Sequence, residues 1–366
     1  MIVRIGLVGP DQSQPCGIAD YTSRLAAALE RKCDLVFVPF REALTLDVSG
    51  KSALDGCQAI LVQYERSLVP DQNFLPQLSR KFRGRVFVVP HEVYRDDPFA
   101  FPYSALHADF LPLLWLKRLR YRWSHKEYAQ EKRLQRKAYA AAGVIPLSGP
   151  SAEILSPLAG RKILSPVPHA FFIPPELVSD RAPPARETFF PQGAAKVLGI
   201  FGFLNPGLDY DMVFDLLKGL DADVCLLILG GPRIGGNESI DLESQAAARG
   251  LSGRARVTGY LPEADLSAYL RICDLFISPM RFKSNSGSLL NLIHLGKPIL
   301  ASDLPLTRYL KKEGAPIELY TDSGELAEKV TGYLKGSLRA QPNRYPWRFD
   351  AVADAYIKAL ETAVRS

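Results

Sequence analysis

The chain has 366 residues, of which 47% are hydrophobic and 23% charged, and a formal net charge of +6. That length suits two ordinary domains and that composition is globular, so disorder and collagen-like repeats are excluded. No apolar run approaches the ~18 to 20 residues of a membrane-spanning helix, and the opening MIVRIGLVGP reads as a buried strand instead of a signal peptide. The expected location is cytoplasmic. Five scattered cysteines, Cys16, Cys33, Cys57, Cys225 and Cys273, lack C-x-x-C spacing and read as reduced core thiols, so neither a disulfide framework nor a metal site is expected.

Taken in chain order, short β-branched runs alternate with helical patterns, which predicts parallel sheets covered by helices. Strands are predicted near Ile2–Val8, Asp34–Val38, Ala59–Gln63, Val86–Val89, Val144–Pro146 and Ile163–Val167, with a helix from Ile18 whose apolar face is Ile18, Tyr21, Leu25, Ala28 and Leu29. Within this half, nine Lys or Arg oppose only Glu127 and Glu131 between Leu113 and Ala140, so the basic charge of the whole chain comes from one segment. Trp115, Tyr121 and Trp123 lie among these cations at helical spacing. Residues 111–140 are therefore a surface that an anionic membrane could meet, making the protein peripheral on the inner membrane face. Nucleic acid is not expected, because no reading motif accompanies the charge.

A proline-rich passage from Pro174 to Pro191 reads as a linker with few packing demands. The alternation then restarts, with strands near Val197–Phe201, Val224–Leu229, Arg256–Val257, Leu275–Ser278, Ile299–Ala301 and Ile317–Leu319. Helices are predicted at Met212–Leu220, Glu243–Arg249, Ala264–Arg271, Leu289–Leu295 and Glu325–Leu334. The expectation is α/β: two Rossmann-like doubly wound domains, an N-terminal one over 1–180 and a C-terminal one over 190–345, with a cleft between them.

Ligands of such sheets sit beyond the carboxyl ends of the strands. Three loops there carry chemistry. The first delivers Gly17 to the start of a helix, where bare backbone and unpaired amides suit an anion or a hydroxyl-rich group. The fourth strand ends in Pro90-His91-Glu92, and His91 could bond a sugar hydroxyl or move a proton near neutral pH. The third, Arg281-Phe282-Lys283-Ser284-Asn285-Ser286-Gly287-Ser288, joins two cations to a hydroxyl-rich loop opening a helix, which suits a diphosphate. The strings Asp209-Tyr210-Asp211 and Asp221-Ala222-Asp223 read as a helix cap and a turn, not as metal sites.

Together these segments resemble the GT-B glycosyltransferases, and within them glycosyltransferase family 4. Pro15-Cys16-Gly17-Ile18-Ala19-Asp20-Tyr21 is similar to that family's G-I-A-x-Y opening, Gly230-Gly231-Pro232 to its G-x-G-P turn, and Val257-Thr258-Gly259-Tyr260-Leu261 to the segment lining its base pocket. Gly296-Lys297-Pro298-Ile299-Leu300-Ala301-Ser302-Asp303 resembles G-x-P-V-V-A-S-D. Tyr345-Pro346-Trp347 resembles the start of the family's closing helix, so 346–366 is expected to cross back to the first domain. The resemblance implies a retaining transferase that moves a sugar from a nucleotide-diphosphate donor to a glycan, a lipid-linked or a small-molecule hydroxyl, with no cofactor. It implies catalytic roles for His91 and Lys283, donor-phosphate contacts from Arg281, Ser286, Gly287, Ser288 and Gly17, and nucleoside contacts from Asn291, Gly259 and Tyr260. The family's paired glutamates fall on Lys283 and Asn291, and its phosphate-binding cations fall on Phe203 and near Leu208. A non-catalytic GT-B-like module that binds a partner glycosyltransferase or a glycan is the alternative.

Overall fold

A computed structural model describes residues 4–11, 16–46, 50–65, 68–71, 73–93, 133, 136–137, 139–171, 182–204, 207–232, 241–281 and 285–365. The chain divides into two compact units, Met1–Ala170 with Trp347–Ser366, and Phe171–Pro346. Each is built around one parallel sheet.

In the first unit, β1 (Arg4–Gly9), β2 (Asp34–Pro39), β3 (Ala59–Tyr64), β4 (Val86–Pro90) and β5 (Gly143–Val144) assemble in the order β2-β1-β3-β4-β5. Strands β3 and β4 are buried along their whole length, which is why they read as continuous apolar runs with no alternation. Helix α1 (Gly17–Glu30) follows β1, α2 (Phe74–Lys81) follows β3, and α3 (Gly149–Ala159) follows β5. The predicted strand Ile163–Val167 is corrected to a single bridge between Val144 and Ile163. Pro166 and Pro168 have no N–H to donate, so a continuous ladder cannot form there.

In the second unit, β6 (Lys196–Phe201), α4 (Tyr210–Lys218), β7 (Val224–Leu229), α5 (Leu242–Ala248), β8 (Ala255–Val257), α6 (Glu263–Leu270) and β9 (Leu275–Ser278) alternate without a break. They are followed by α7 (Gly287–Leu292), β10 (Ile299–Ser302), α8 (Pro305–Lys312), β11 (Glu318–Tyr320) and α9 (Ser323–Leu334). The six strands lie in the order β11-β10-β9-β6-β7-β8. Every strand pair in both sheets is parallel. The crossover rule therefore gathers all the strand ends that precede helices on one edge of each sheet.

Helix α10 (Phe349–Arg365) returns to the first unit and packs on α1. Val352, Ala353, Tyr356 and Leu360 are buried on its inner face. At the rim Arg31 meets Asp350 at 2.5 Å and Lys32 meets Asp354 at 2.8 Å. These pairs are exposed and set register more than they stabilise.

The linker expectation needs correction on its described part. Residues 172–181 lie outside the described residues, but Arg186 is tied down. Its guanidinium donates to both carboxylate oxygens of Asp274 at 2.9 Å and to the carbonyls of Ala195 and Ile272. Asp274 in turn accepts from the Val197 amide at 2.8 Å, and Phe190 is buried. This proline-rich composition hides a staple, because one arginine and one phenylalanine suffice to pin a segment. Replacing Arg186 with leucine should destabilise the second unit by about 2 kcal/mol, since it takes the charged partner from a half-buried carboxylate and a donor from two carbonyls. Urea unfolding followed by the far-UV signal measures it, and an unchanged midpoint would contradict the staple.

Candidate functional site

The second sheet has a topological switch point. From β6 the chain winds outward through β7 and β8 on one side, while β9, β10 and β11 lie on the other. A doubly wound sheet binds its ligand in the crevice at that point. The loops flanking it are the ones after β6 and after β9.

Gly202 follows β6 with φ at +131°, and a Cβ built on it would lie 2.8 Å from Ser288 Oγ. The loop after β6 thus touches the start of α7. Gly230, which follows β7 with φ at +154°, is still more confined, since its Cβ would sit 2.0 Å from the Gly202 carbonyl oxygen. Both positions need glycine, and the floor of the crevice is bare backbone. Thr258 completes it by accepting from the Gly230 amide at 3.2 Å and donating to the Gly259 carbonyl at 2.9 Å.

On the β9 side, Ser286 is buried and its Oγ accepts from the Leu289 amide at 3.3 Å, so it is the N-cap of α7 and keeps its O–H to donate. Helix α7 ends at Leu292, earlier than the predicted Leu295, and its six residues make a weak dipole. Hydroxyls and amides of Ser286, Gly287 and Ser288 therefore carry more of any anion binding than the helix field does. Asn291 lies on α7, half-buried. Gly259 follows β8 with φ at +74°, and Tyr260 beside it is 52% exposed. Lys283 lies outside the described residues, as does the 111–132 part of the basic segment.

The loops after β6 and β9 are joined further out. Leu208 and Met280 form an antiparallel bridge, the Asp209 amide donates to Pro279 at 2.7 Å and the Arg281 amide to Gly207 at 2.9 Å. This brings the Arg281 guanidinium to 3.2 Å from Asp209 Oδ1, a partner that sequence reasoning missed. Asp209 also caps α4 through the Met212 amide, as its sequence position indicates. Phe203 and Leu208 stand where cations were looked for, and Leu208 is buried.

The first unit gathers a different set. Its switch point lies between β1 and β3, and Gly17 opens α1 in the loop after β1. A Cβ on Gly17 meets nothing within 4 Å, so packing does not demand glycine there, and Cys16 makes no side-chain cap. His91, just past β4, is buried, and its Nε2–H donates to Gln63 Oε1 at 2.8 Å. His169 lies with it, ring centroids 5.9 Å apart, and Tyr21 of α1 contacts both at 5.2 and 4.4 Å. Phe349 and Tyr356 of α10 close the cluster against Tyr21. His169 was not singled out from the sequence, although a signal existed: Val89-Pro90-His91 and Val167-Pro168-His169 are the same tripeptide.

Burial dominates the electrostatics here. It lowers His91 well below the ordinary imidazole range, with the neighbouring His169 adding to the effect. His169 is brought down to about 4 by burial, against a bond from Nδ1 to the Ala170 carbonyl. Burial likewise raises the phenols of Tyr21 and Tyr356. At neutral pH this cluster is an uncharged set of donors and acceptors. Among the described residues no group of three or more His, Cys, Asp or Glu is placed to hold a metal ion, and no helix is long and apolar enough to cross a membrane.

Residues 191–345 match the family model described as Glycosyl transferases group 1. No curated protein matches the chain in sequence. Among solved structures it is similar to Anabaena HepE in complex with UDP and glucose, at 16% identity and a TM-score of 0.56 over 99% of this chain and 97% of that one. Sucrose-phosphate synthase from Thermosynechococcus elongatus aligns at 11% identity and a TM-score of 0.61, over 99% and 96% of the two chains. A putative UDP-N-acetylglucosamine 2-epimerase from Listeria monocytogenes aligns at 11% and 0.56, over 100% and 97%. These likenesses establish the GT-B fold with its two Rossmann-like units.

The neutral imidazoles make stability depend on pH in a definite direction. His169 is held below its unfolded value, so the unfolded chain takes up a proton first, and stability present above about pH 6.5 is lost as pH falls toward 4. The loss from His169 alone reaches about 3 kcal/mol. Denaturant midpoints at pH 7.5 and 5 should differ in the native chain and differ less in His169→Gln. Equal slopes in the two proteins would show that His169 is protonated alike in both states.

Proposed function

We propose that this chain, whose residues 191–345 match the group 1 glycosyl transferases, is a retaining glycosyltransferase working without a bound metal. It moves a sugar from a nucleotide-diphosphate donor to a hydroxyl of a glycan, a lipid-linked or a small-molecule acceptor. The observation that carries this reading is the contact between Gly202 and Ser288 at the switch point of the second sheet. Bare backbone on one side and two serine hydroxyls on the other offer the donors that phosphate oxygens take. UDP stands first among candidate nucleotides, because the Anabaena neighbour was solved with it.

The second unit holds the donor. Ser286, Gly287 and Ser288 donate to the diphosphate, Asn291 bonds a ribose hydroxyl, and Tyr260, exposed beside Gly259, offers its ring to the base. In the transfer step the bond between the anomeric carbon and the phosphate oxygen breaks, and negative charge grows on the departing diphosphate. Lys283, Arg281 and the serine hydroxyls stabilise that charge more in the transition state than in the ground state. The acceptor oxygen bonds to the anomeric carbon on the face the diphosphate leaves, and its proton passes to the departing phosphate oxygen. The first unit serves the acceptor. Gly17 leaves room at the start of α1, and the buried neutral His91 orients a hydroxyl without adding charge. The basic stretch 111–140 would hold the enzyme near an anionic membrane carrying a lipid-linked acceptor.

A second reading rests on the same crevice. Asn291 and Lys283 occupy the two positions of the family's carboxylate pair, Phe203 and Leu208 replace its cations, and Arg281 already has a carboxylate partner. Those substitutions fit a GT-B module that binds a partner transferase or a glycan and turns nothing over.

Calorimetric titration with UDP, GDP, ADP and TDP and their sugar conjugates, without metal and then with magnesium, separates the two. Micromolar binding of one nucleotide is expected, weakened about tenfold or more by changing Ser286 and Ser288 to alanine. Silence from all four selects the binding module. Given turnover, Lys283→Ala should lower kcat by well over about tenfold with little change in Kd for the nucleotide. Normal turnover in that variant removes the lysine from the mechanism.

A further inference from the structure

The pair formed by Asp209 and Arg281 lies where two loops of the second unit are clamped together, and its geometry says what it does. Both residues are set by backbone, through the Leu208–Met280 bridge and the two amide bonds beside it. The Asp209 side chain is 15% exposed and held at its Met212 bond, while the Arg281 side chain is 49% exposed, so the acid is fixed and the base can swing. Releasing Arg281 does not strand Asp209, because its carboxylate keeps the Met212 amide at the start of the nine-residue α4. Tyr320, at the end of β11, lies close enough for that charge to reinforce what burial does to its phenol, and its hydroxyl is 3.1 Å from Ser302 Oγ. Asp209 therefore has support from α4 whether or not Arg281 stays.

We propose that Asp209 occupies Arg281 in place of a ligand phosphate, and that a nucleoside diphosphate binds by taking the guanidinium from it. This rests on the reading of the second unit as a nucleoside-diphosphate site. Guanidinium forks onto phosphate as readily as onto carboxylate, and a phosphate oxygen carries the charge to compete. The exchange holds donor affinity below what a free arginine would give. It also makes Asp209 a residue that sets affinity without touching the nucleotide.

The test is a double-variant cycle on the full chain, read by calorimetry with UDP, GDP, ADP and TDP and with inorganic pyrophosphate. Asp209→Asn keeps an oxygen for the Met212 amide, so the cap and the melting temperature should hold. It should tighten the nucleotide that binds by about fivefold, and Arg281→Ala should weaken it by a similar factor. In the Arg281→Ala background the Asp209→Asn gain should shrink to less than about twofold. A gain of the same size in both backgrounds would make Asp209 a plain negative charge and overturn the exchange. Unchanged or weaker binding by Asp209→Asn, in a protein that still binds nucleotide, overturns the exchange and leaves the site standing. If none of the four nucleotides binds the native chain or any variant, the site reading falls, and the exchange with it.

Discussion

A side chain at residue 230 would place its first carbon 2.0 Å from the carbonyl oxygen of Gly202, and one at 202 would run into Ser288. This crowding organises the second unit. Three loops, after β6, after β7 and into α7, can approach only because two of the positions carry no side chain. Their closeness draws a wall of backbone amides and serine hydroxyls to the switch point of the sheet. A single methyl at either glycine would push these loops apart, and the strand order alone could not bring them back.

The two carboxyl edges are solved in chemically opposite ways. In the second unit charge is present but matched, with Arg281 on Asp209 and Arg308 on Asp303, so an anion entering there meets hydroxyls and amides before it meets net charge. In the first unit the ring cluster itself is uncharged, since burial keeps His91 and His169 neutral and Tyr21 and Tyr356 protonated, while Glu65 and Glu92 lie at the neighbouring strand ends. A neutral imidazole cluster can bond hydroxyls without paying for a buried ion. The fold by itself does not choose the chemistry, since it is shared with a sucrose-phosphate synthase and a putative UDP-N-acetylglucosamine 2-epimerase.

The described helices and strands were largely legible because parallel strands buried on both faces leave apolar runs that few other structures produce. Ala59–Tyr64 and Val224–Leu229 are buried at every residue, and both stand out in the bare sequence. Helices α2, α3 and α8 were not predicted. Each carries proline, at Pro76, at Pro150 and Pro157, and at Pro305, and proline in a first turn looks the same as proline in a loop. The strand expected at Ile163–Val167 failed for the opposite reason, since its β-branched residues suit a ladder that its prolines cannot complete.

Local pattern determined the fold class, the position of the loops after β1, β4 and β9, and the residue types that could serve there, because each depends on neighbours a few residues away. Asp209 and Arg281, by contrast, are separated by the whole stretch from α4 to β9, and His91 and His169 by the long segment from the end of β4 to beyond α3. Nothing in the spacing of either pair marks it. Only the strand order joined them: the switch point between β6 and β9 brought the acid to the base, and the neighbouring ends of β4 and of the segment bridged to β5 brought the two histidines together.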